Sequence, residues 1–222
     1  MQSLNTRSVV FNLLAINVVV FLLTSFKGQL MYEWFALYYP ASPAFKPVQL
    51  VSHMFMHGTI MHIFSNMFAL YMFGAVLERV WGPKRFLLFY FVTGLGAMVL
   101  YTAVHALIVY NISGSVAPPL NTVMQYEQLY SIYYDRTVGA SGAVFGILVA
   151  FGMLFPNTEL ILLYFPIPIK AKYFVSLYVL FELYSGFQMN PSDNIAHFAH
   201  LGGALFGFIM VKYWNRNRNY LY

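Results

Sequence analysis

The sequence predicts an all-α polytopic membrane protein, a bundle of six transmembrane helices. Three observations predict it. Of its 222 residues, 60% are hydrophobic and only 9% charged, with a mean hydropathy of +0.64. Soluble domains carry roughly 25% charged residues, so lipid must be the solvent for most of this chain. Apolar runs close to the ~20 residues that cross a bilayer as a helix recur six times. The basic residues also partition by side. With a cytoplasmic N-terminus, Arg7, Arg79, Lys84, Arg85, Lys170, Lys172, Lys212, Arg216 and Arg218 fall inside, and only Lys27, Lys46 and Arg136 outside. Nine against three satisfies the positive-inside rule, and six spans return both termini to the cytoplasm.

Span one covers about residues 9–26 and reads as a signal anchor, because no small-residue cleavage site follows it. Span two covers about 57–77 and closes with Glu78-Arg79. Span three covers about 86–110, and span four about 138–155, ended by Pro156-Asn157. Span five covers about 172–187 and span six about 195–214. The outer segment 27–50 holds Trp34, Tyr38, Tyr39 and Phe45, so it is expected to lie partly in the interface, where aromatic rings are favoured. In the outer segment 111–137, Pro118-Pro119 marks a loop, and the tyrosines 126–134 predict a short interfacial helix. The whole chain, 1–222, reads as one membrane domain without repeats.

Composition also excludes. With no cysteine, disulfides and thiolate metal sites are ruled out. The net charge of +5 is scattered singly or in pairs beside apolar runs, so no nucleic-acid partner is expected.

Ionisable groups inside spans are expensive and mark function by default. His53, His57 and His62 lie at the start of span two, His105 in span three, and His197 and His200 in span six. All fall in the outer half of the bundle, as does Ser141 at the start of span four. His62 and Asn66, four residues apart, share a helix face, and two donors there can cradle a developing oxyanion. Interhelical hydrogen bonding is the plainer role for such a pair. Gly203 and Gly207 form a G-x-x-x-G, as do Gly142 and Gly146, and pressing these together would bring span four against span six. The imidazole of His200 could then reach the Ser141 hydroxyl, the minimum for an activated serine. His197 is the rival base, but it shares the glycine face less well and reads as a capping or interfacial histidine. Glu182 and Asp193 are placed near the outer ends of spans five and six. With no acid on spans two, four or six at the depth of the serine, a dyad is expected rather than a Ser-His-Asp triad.

Three motifs in order, G139-A-S-G, H57-x4-H62-x3-N66 and A199-H-L-G-G-x3-G207, resemble those of the rhomboid intramembrane serine proteases. The resemblance covers essentially the whole chain. It implies a six-helix bundle with Ser141 as nucleophile, His200 as general base, and His62, Asn66 and the Ser141 amide as oxyanion donors. It further implies that His57 organises the first loop and that Phe145 packs on the catalytic imidazole. Gly139 and Gly142 flank the serine, and Gly203 and Gly207 bring span six close. Glu78 and Arg79 match the charged end of span two in the family. Departures are Gln49 where the family has an arginine, Val48 where a tryptophan is common, and Phe145 where a tyrosine is common. The segment 111–137 is longer than in the smallest members.

By this resemblance the reaction is hydrolysis of a peptide bond in or near a transmembrane helix of a single-pass or polytopic membrane protein. It needs no cofactor and no metal, and span five is a candidate lateral gate. One alternative is a non-catalytic relative that binds client helices. Another is a metal transporter using the histidines, opposed by the lack of carboxylates among them and of a polar path inward. The compartment expected is a bacterial inner membrane, with the site facing outward.

Overall fold

The computed structural model describes residues 8–162, 165–188 and 196–216; Arg7, Asp193 and Arg218, named above, and the first residue of the expected span six, 195, lie outside them. Helix α1, Val9–Phe35, outruns the expected first span because helical hydrogen bonding resumes beyond a break at Gly28 (φ 36°, ψ −110°). That break follows Lys27, where the apolar run ends, and its positive φ is one that glycine adopts without a Cβ clash. The first outer loop carries α2, Gln49–Ser52, and a 3₁₀ turn, His53–Phe55. Span two begins at Ile60 rather than 57, because the Thr59 hydroxyl caps the helix by accepting from the His62 amide at 3.1 Å. It consists of α3, Ile60–Ala69, a π-helical turn, Leu70–Gly74, and α4, Ala75–Trp81.

Span three is α5, Pro83–Ser113, longer than 86–110 at both ends. Pro83 suits the first helical turn, where its missing N–H costs nothing, and Gly114 at φ 75° closes the other end. The outer segment then forms α6, Leu120–Val123, and α7, Glu127–Tyr134, the short helix its tyrosines predict. Span four is α8, Ser141–Leu154. Span five is α9, Ala171–Gln188, and span six is α10, His197–Trp214.

The bundle is helical as expected, with one small addition. Between α8 and α9 lies an antiparallel hairpin, β1 (Glu159–Leu162) and β2 (Phe165–Lys170), with Glu159 opposite Lys170 and Leu160 opposite Ile169. The alternating prolines of F165-P-I-P-I-K forbid a helix, and a two-stranded ribbon, all edge, tolerates them.

Among the described residues, three helices are long and apolar enough to cross a membrane: Val9–Phe35, Ile60–Trp81 and Pro83–Ser113. Large apolar side chains such as Val19, Leu22, Leu107 and Phe208 face outward, which suits lipid and not water. Helix α8 is different. It is buried along nearly its whole length and has only 14 residues, about 21 Å of rise against the roughly 30 Å of a hydrocarbon core. Its first residue, Ser141, is half-buried.

Two contacts define the opposite end. The Glu78 carboxylate accepts from Ser8 Oγ (2.8 Å), Val9 N (2.7 Å) and Val10 N (3.0 Å), capping α1 from another helix. Trp81 and Trp214 pack edge to face at 5.2 Å. The start of α1 and the end of α10 thus lie on one face, remote from the histidines.

Candidate active site

Small residues set the helix spacing at the site. A Cβ on Gly203 would overlap the Gly142 carbonyl, and one on Gly207 would lie 2.8 Å from Gly146 Cα. The two G-x-x-x-G faces therefore press α10 against α8. The junction has a third member that spacing alone did not predict. A Cβ on Gly146 would lie 2.6 Å from Thr93 and one on Gly202 would lie 2.8 Å from Ala97 Cα, both on α5, while Gly142 also abuts Ala97.

This close packing brings His200 Nε2 to 2.9 Å from Ser141 Oγ. The imidazole is stacked on the Phe145 ring, with centroids 4.2 Å apart and 9° between planes. Phe145 in turn touches Tyr178 of α9 at 4.7 Å. Ser141 is the first residue of α8, where backbone amides lack intrahelical partners and can donate outward.

The segment preceding the serine is tied to the first loop. Gly139 N donates to the His53 carbonyl (2.9 Å), and Leu37 and Thr137 exchange two backbone bonds at 2.9 Å. The Thr137 hydroxyl adds a 2.8 Å bond to Tyr101 OH on α5. Gly139 itself has φ 136°, and a Cβ there would lie 2.8 Å from His62 Nε2 and 3.5 Å from Ser141 Oγ. Glycine leaves that space open, and His62 and Ser141 face it from two sides.

His62 Nδ1 accepts a long 3.5 Å bond from Gly58 N, so the ring proton belongs on Nε2, the nitrogen facing that space. Asn66 is buried and gives one amide hydrogen to the His62 carbonyl at 3.0 Å; its second N–H remains in the inventory of the group. His57 lies behind them, fully buried, its ring edge-on to His62 at 4.9 Å. Ser141, His200, His62 and Asn66 all line one cleft of about 1460 Å³. Phe68 and Met72, and Phe174 and Tyr178 of α9, also line it.

The departure at Gln49 has a structural answer. Its side chain is buried, donates to the Glu33 (3.2 Å) and Ala44 (3.1 Å) carbonyls, and accepts from Lys46 N (3.0 Å). The first loop is therefore braced by the Gln49 amide. Burial lowers the pKa of the adjacent His53, to about 4, and its Nδ1 pairs with the Gln49 carbonyl at 2.8 Å. A neutral imidazole there fits a loop closed without charge.

Two residues stand elsewhere than expected. Glu182 of span five is not at an outer end facing away but buried beside the histidine, 3% exposed, with Oε2 2.9 Å from His200 Nδ1. The same oxygen lies 2.6 Å from His197 Nδ1. His197 does open α10, but buried against this carboxylate rather than at the interface. The signal was present in the sequence, a lone acid in an apolar span, but helix α9 carries little amphipathic pattern to say which way it points. The ligand atoms of Glu182, His197 and His200 lie within 4.8 Å of one another, a grouping that could hold a cation. Their 2.6 and 2.9 Å separations are hydrogen-bond distances. Donors around a zinc ion with bonds near 2.0–2.1 Å stand about 3.3 Å apart.

A rhomboid domain model matches residues 44–216. The chain belongs to the rhomboid family. This rhomboid is 31% identical over 207 residues to the RHOMBOID-like protein 12, mitochondrial, of Arabidopsis thaliana, covering 92% of this chain and 57% of that protein. It is 26% identical to the Rhomboid protein 1, mitochondrial, of Saccharomyces cerevisiae (93% and 53% covered). It is 28% identical to the Rhomboid-like protease 3 of Toxoplasma gondii (82% and 57%). The chain spans little more than half the length of these curated relatives. The names of two of them place those proteins in mitochondria, which lends no support to the bacterial inner membrane expected above. What stands is that the rhomboid is a helix-bundle membrane protein.

Proposed function

We propose that this rhomboid is an intramembrane serine endopeptidase that cuts membrane-protein substrates in or near their transmembrane helices. The observation that carries the reading is the 2.9 Å contact between His200 Nε2 and Ser141 Oγ on the wall of the cleft. In this reading Ser141 attacks the scissile carbonyl while His200 takes the hydroxyl proton and returns it to the leaving amine. The Nε2–H of His62, the Asn66 amide and the Ser141 backbone N–H stabilise the oxyanion. His57 supports His62, and Phe145 holds the plane of the His200 ring. Gly139, Gly142, Gly203 and Gly207 let these groups approach.

Substrate enters this cleft, whose lining includes Phe68 and Met72 and, from α9, Phe174 and Tyr178. A helical substrate has its carbonyls occupied, so it must unwind locally, and residues of poor helix propensity near the cut will favour it. The half-buried serine also needs water, and the polar groups of the outer half supply a path.

The test is cleavage of a model single-pass substrate in liposomes, wild type beside Ser141→Ala, with His200→Ala and His197→Ala in parallel. Wild type and His197→Ala are expected to cut, His197→Ala more slowly, and the other two to be silent. If wild type and Ser141→Ala bind several substrates equally and neither cuts, the protein is a client-binding rhomboid instead.

A further inference from the structure

We propose that Glu182 is a positioning residue of this site, so that the serine works in a Ser141–His200–Glu182 triad rather than a dyad. The proposal rests on the peptidase reading above and deepens it.

Neutral imidazole carries one proton and can hold it on either nitrogen. Only one tautomer serves the reaction: Nε2 must be bare to accept the Ser141 proton. A carboxylate accepts but cannot donate, so Glu182 Oε2 at 2.9 Å requires that Nδ1 of His200 carry the hydrogen. That leaves the Nε2 lone pair facing Ser141 Oγ at 2.9 Å. Phe145, stacked on the ring, fixes its plane but says nothing about its proton. His197 gives a second N–H to the same oxygen at 2.6 Å. The carboxylate is thereby held in place, and its buried charge has donors in a site where water is scarce.

During attack the Oγ–C bond forms as the Oγ proton moves to Nε2. That proton then passes to the amine as the C–N bond breaks, and a water repeats the cycle to release the acyl group. Glu182 takes no proton at any step. It keeps His200 in one tautomer and balances the imidazolium while it exists, as the carboxylate of a soluble serine protease does.

The contrasting possibility is that Glu182 merely fastens α9 to α10. Glu182→Gln separates the two. The glutamine is the same size and can still bridge the helices, but its N–H₂ can donate to Nδ1 and so favour the unproductive Nε2–H tautomer. The full chain in liposomes is measured for cleavage kinetics, for thermal stability, and for the His200 ring by ¹⁵N NMR, assigned by difference against His200→Ala. Wild type is expected to carry its proton on Nδ1. Glu182→Gln is expected to lower kcat by roughly 10²–10⁴-fold with KM within about threefold, in line with loss of a triad acid, and to move the proton to Nε2. Glu182→Asp should recover at least about tenfold of that loss, and it carries the test if the Gln variant does not fold. A Glu182→Gln enzyme within about threefold of wild type in kcat, or an unchanged His200 tautomer, overturns the proposal while leaving the peptidase intact. A wild type that cuts nothing while Glu182→Gln still switches the tautomer overturns the peptidase reading instead.

Discussion

Gly203 backs directly onto the carbonyl of Gly142, with no room for even a methyl group between them. The contact fixes the separation of α8 and α10, and with it the 2.9 Å distance from His200 to Ser141. Close-packed interiors do not absorb an added carbon without moving backbone. Gly203→Ala should therefore push the two helices apart and cost about 1–3 kcal/mol through overpacking. Labelling of Ser141 by a fluorophosphonate probe should fall by about 100-fold or more. Gly58, where a Cβ would meet nothing within 4 Å, provides the control: Gly58→Ala should leave labelling unchanged. Equal labelling of the two variants would mean that the glycine face does not set the geometry of the pair.

His62 and Gly139 make a second, separable prediction. Removing one oxyanion donor typically lowers kcat by about 10²–10³-fold, so His62→Ala should do this with little change in KM or in melting temperature. Gly139→Ala acts on the same space by another route, placing a methyl group 2.8 Å from His62 Nε2 at a backbone φ of 136°. It should lower kcat comparably and destabilise the protein by about 1–3 kcal/mol from backbone strain. Steady-state kinetics beside thermal unfolding tells the two apart. A His62→Ala enzyme that loses only affinity would remove His62 from the oxyanion site.

The sequence is legible where chemistry and period coincide. Gly142, Gly146, Gly203 and Gly207 recur at four-residue spacing, so their shared faces follow from helical geometry alone. His62 and Asn66 pair for the same reason. Glu182 is harder, because its role depends on how α9 rotates against α10. An apolar helix with no polar stripe does not declare its orientation. Nor can spacing reveal that Gly142 and Gly146 serve α5 as well, since Thr93 and Ala97 are ordinary residues in an apolar run. The β1–β2 hairpin is invisible to a search for apolar spans, although F165-P-I-P-I-K alternates proline with β-branched residues, a pattern that excludes a helix. Gln49 stands out only as a departure from the family. Its three hydrogen bonds come from residues that approach it only once the loop folds.

Those bonds lead to a third prediction. Gln49→Ala strips the Ala44 carbonyl and the Lys46 amide of a buried partner and leaves the Glu33 carbonyl with Lys46 Nζ alone; each unsatisfied group costs about 1–3 kcal/mol. The first loop should loosen ahead of the helices. Hydrogen exchange over residues 36–58 should accelerate by at least about tenfold while α5 and α8 stay protected. Because Gly139 N bonds the His53 carbonyl, loosening should reach the serine, and kcat should fall by about 3–30-fold. Unchanged exchange in that segment would show that the loop is held by its apolar contacts, such as Met54 against Gly94, and not by the amide.

Glu78 offers the complementary case, a charged residue whose loss should harm the fold and spare the chemistry. Its two carboxylate oxygens accept from Ser8 Oγ and from the amides of Val9 and Val10, the end of α1 where unpaired donors and the helix dipole both favour a negative group. Glutamine can present only one acceptor oxygen to these donors and carries no charge. Glu78→Gln should therefore cost about 1.5–3 kcal/mol, the range for a hydrogen bond to a charged group. For a protein of this size that lowers the melting temperature by about 2–4 °C per kcal/mol. The contact lies at the face of the bundle opposite the histidines, so kcat per folded molecule should stay within about twofold of wild type. Thermal unfolding in detergent and cleavage normalised to folded protein check the two halves. An unchanged melting temperature would show that water caps α1 equally well. A tenfold loss of kcat at full stability would mean instead that the seating of α1 is felt across the bundle at Ser141.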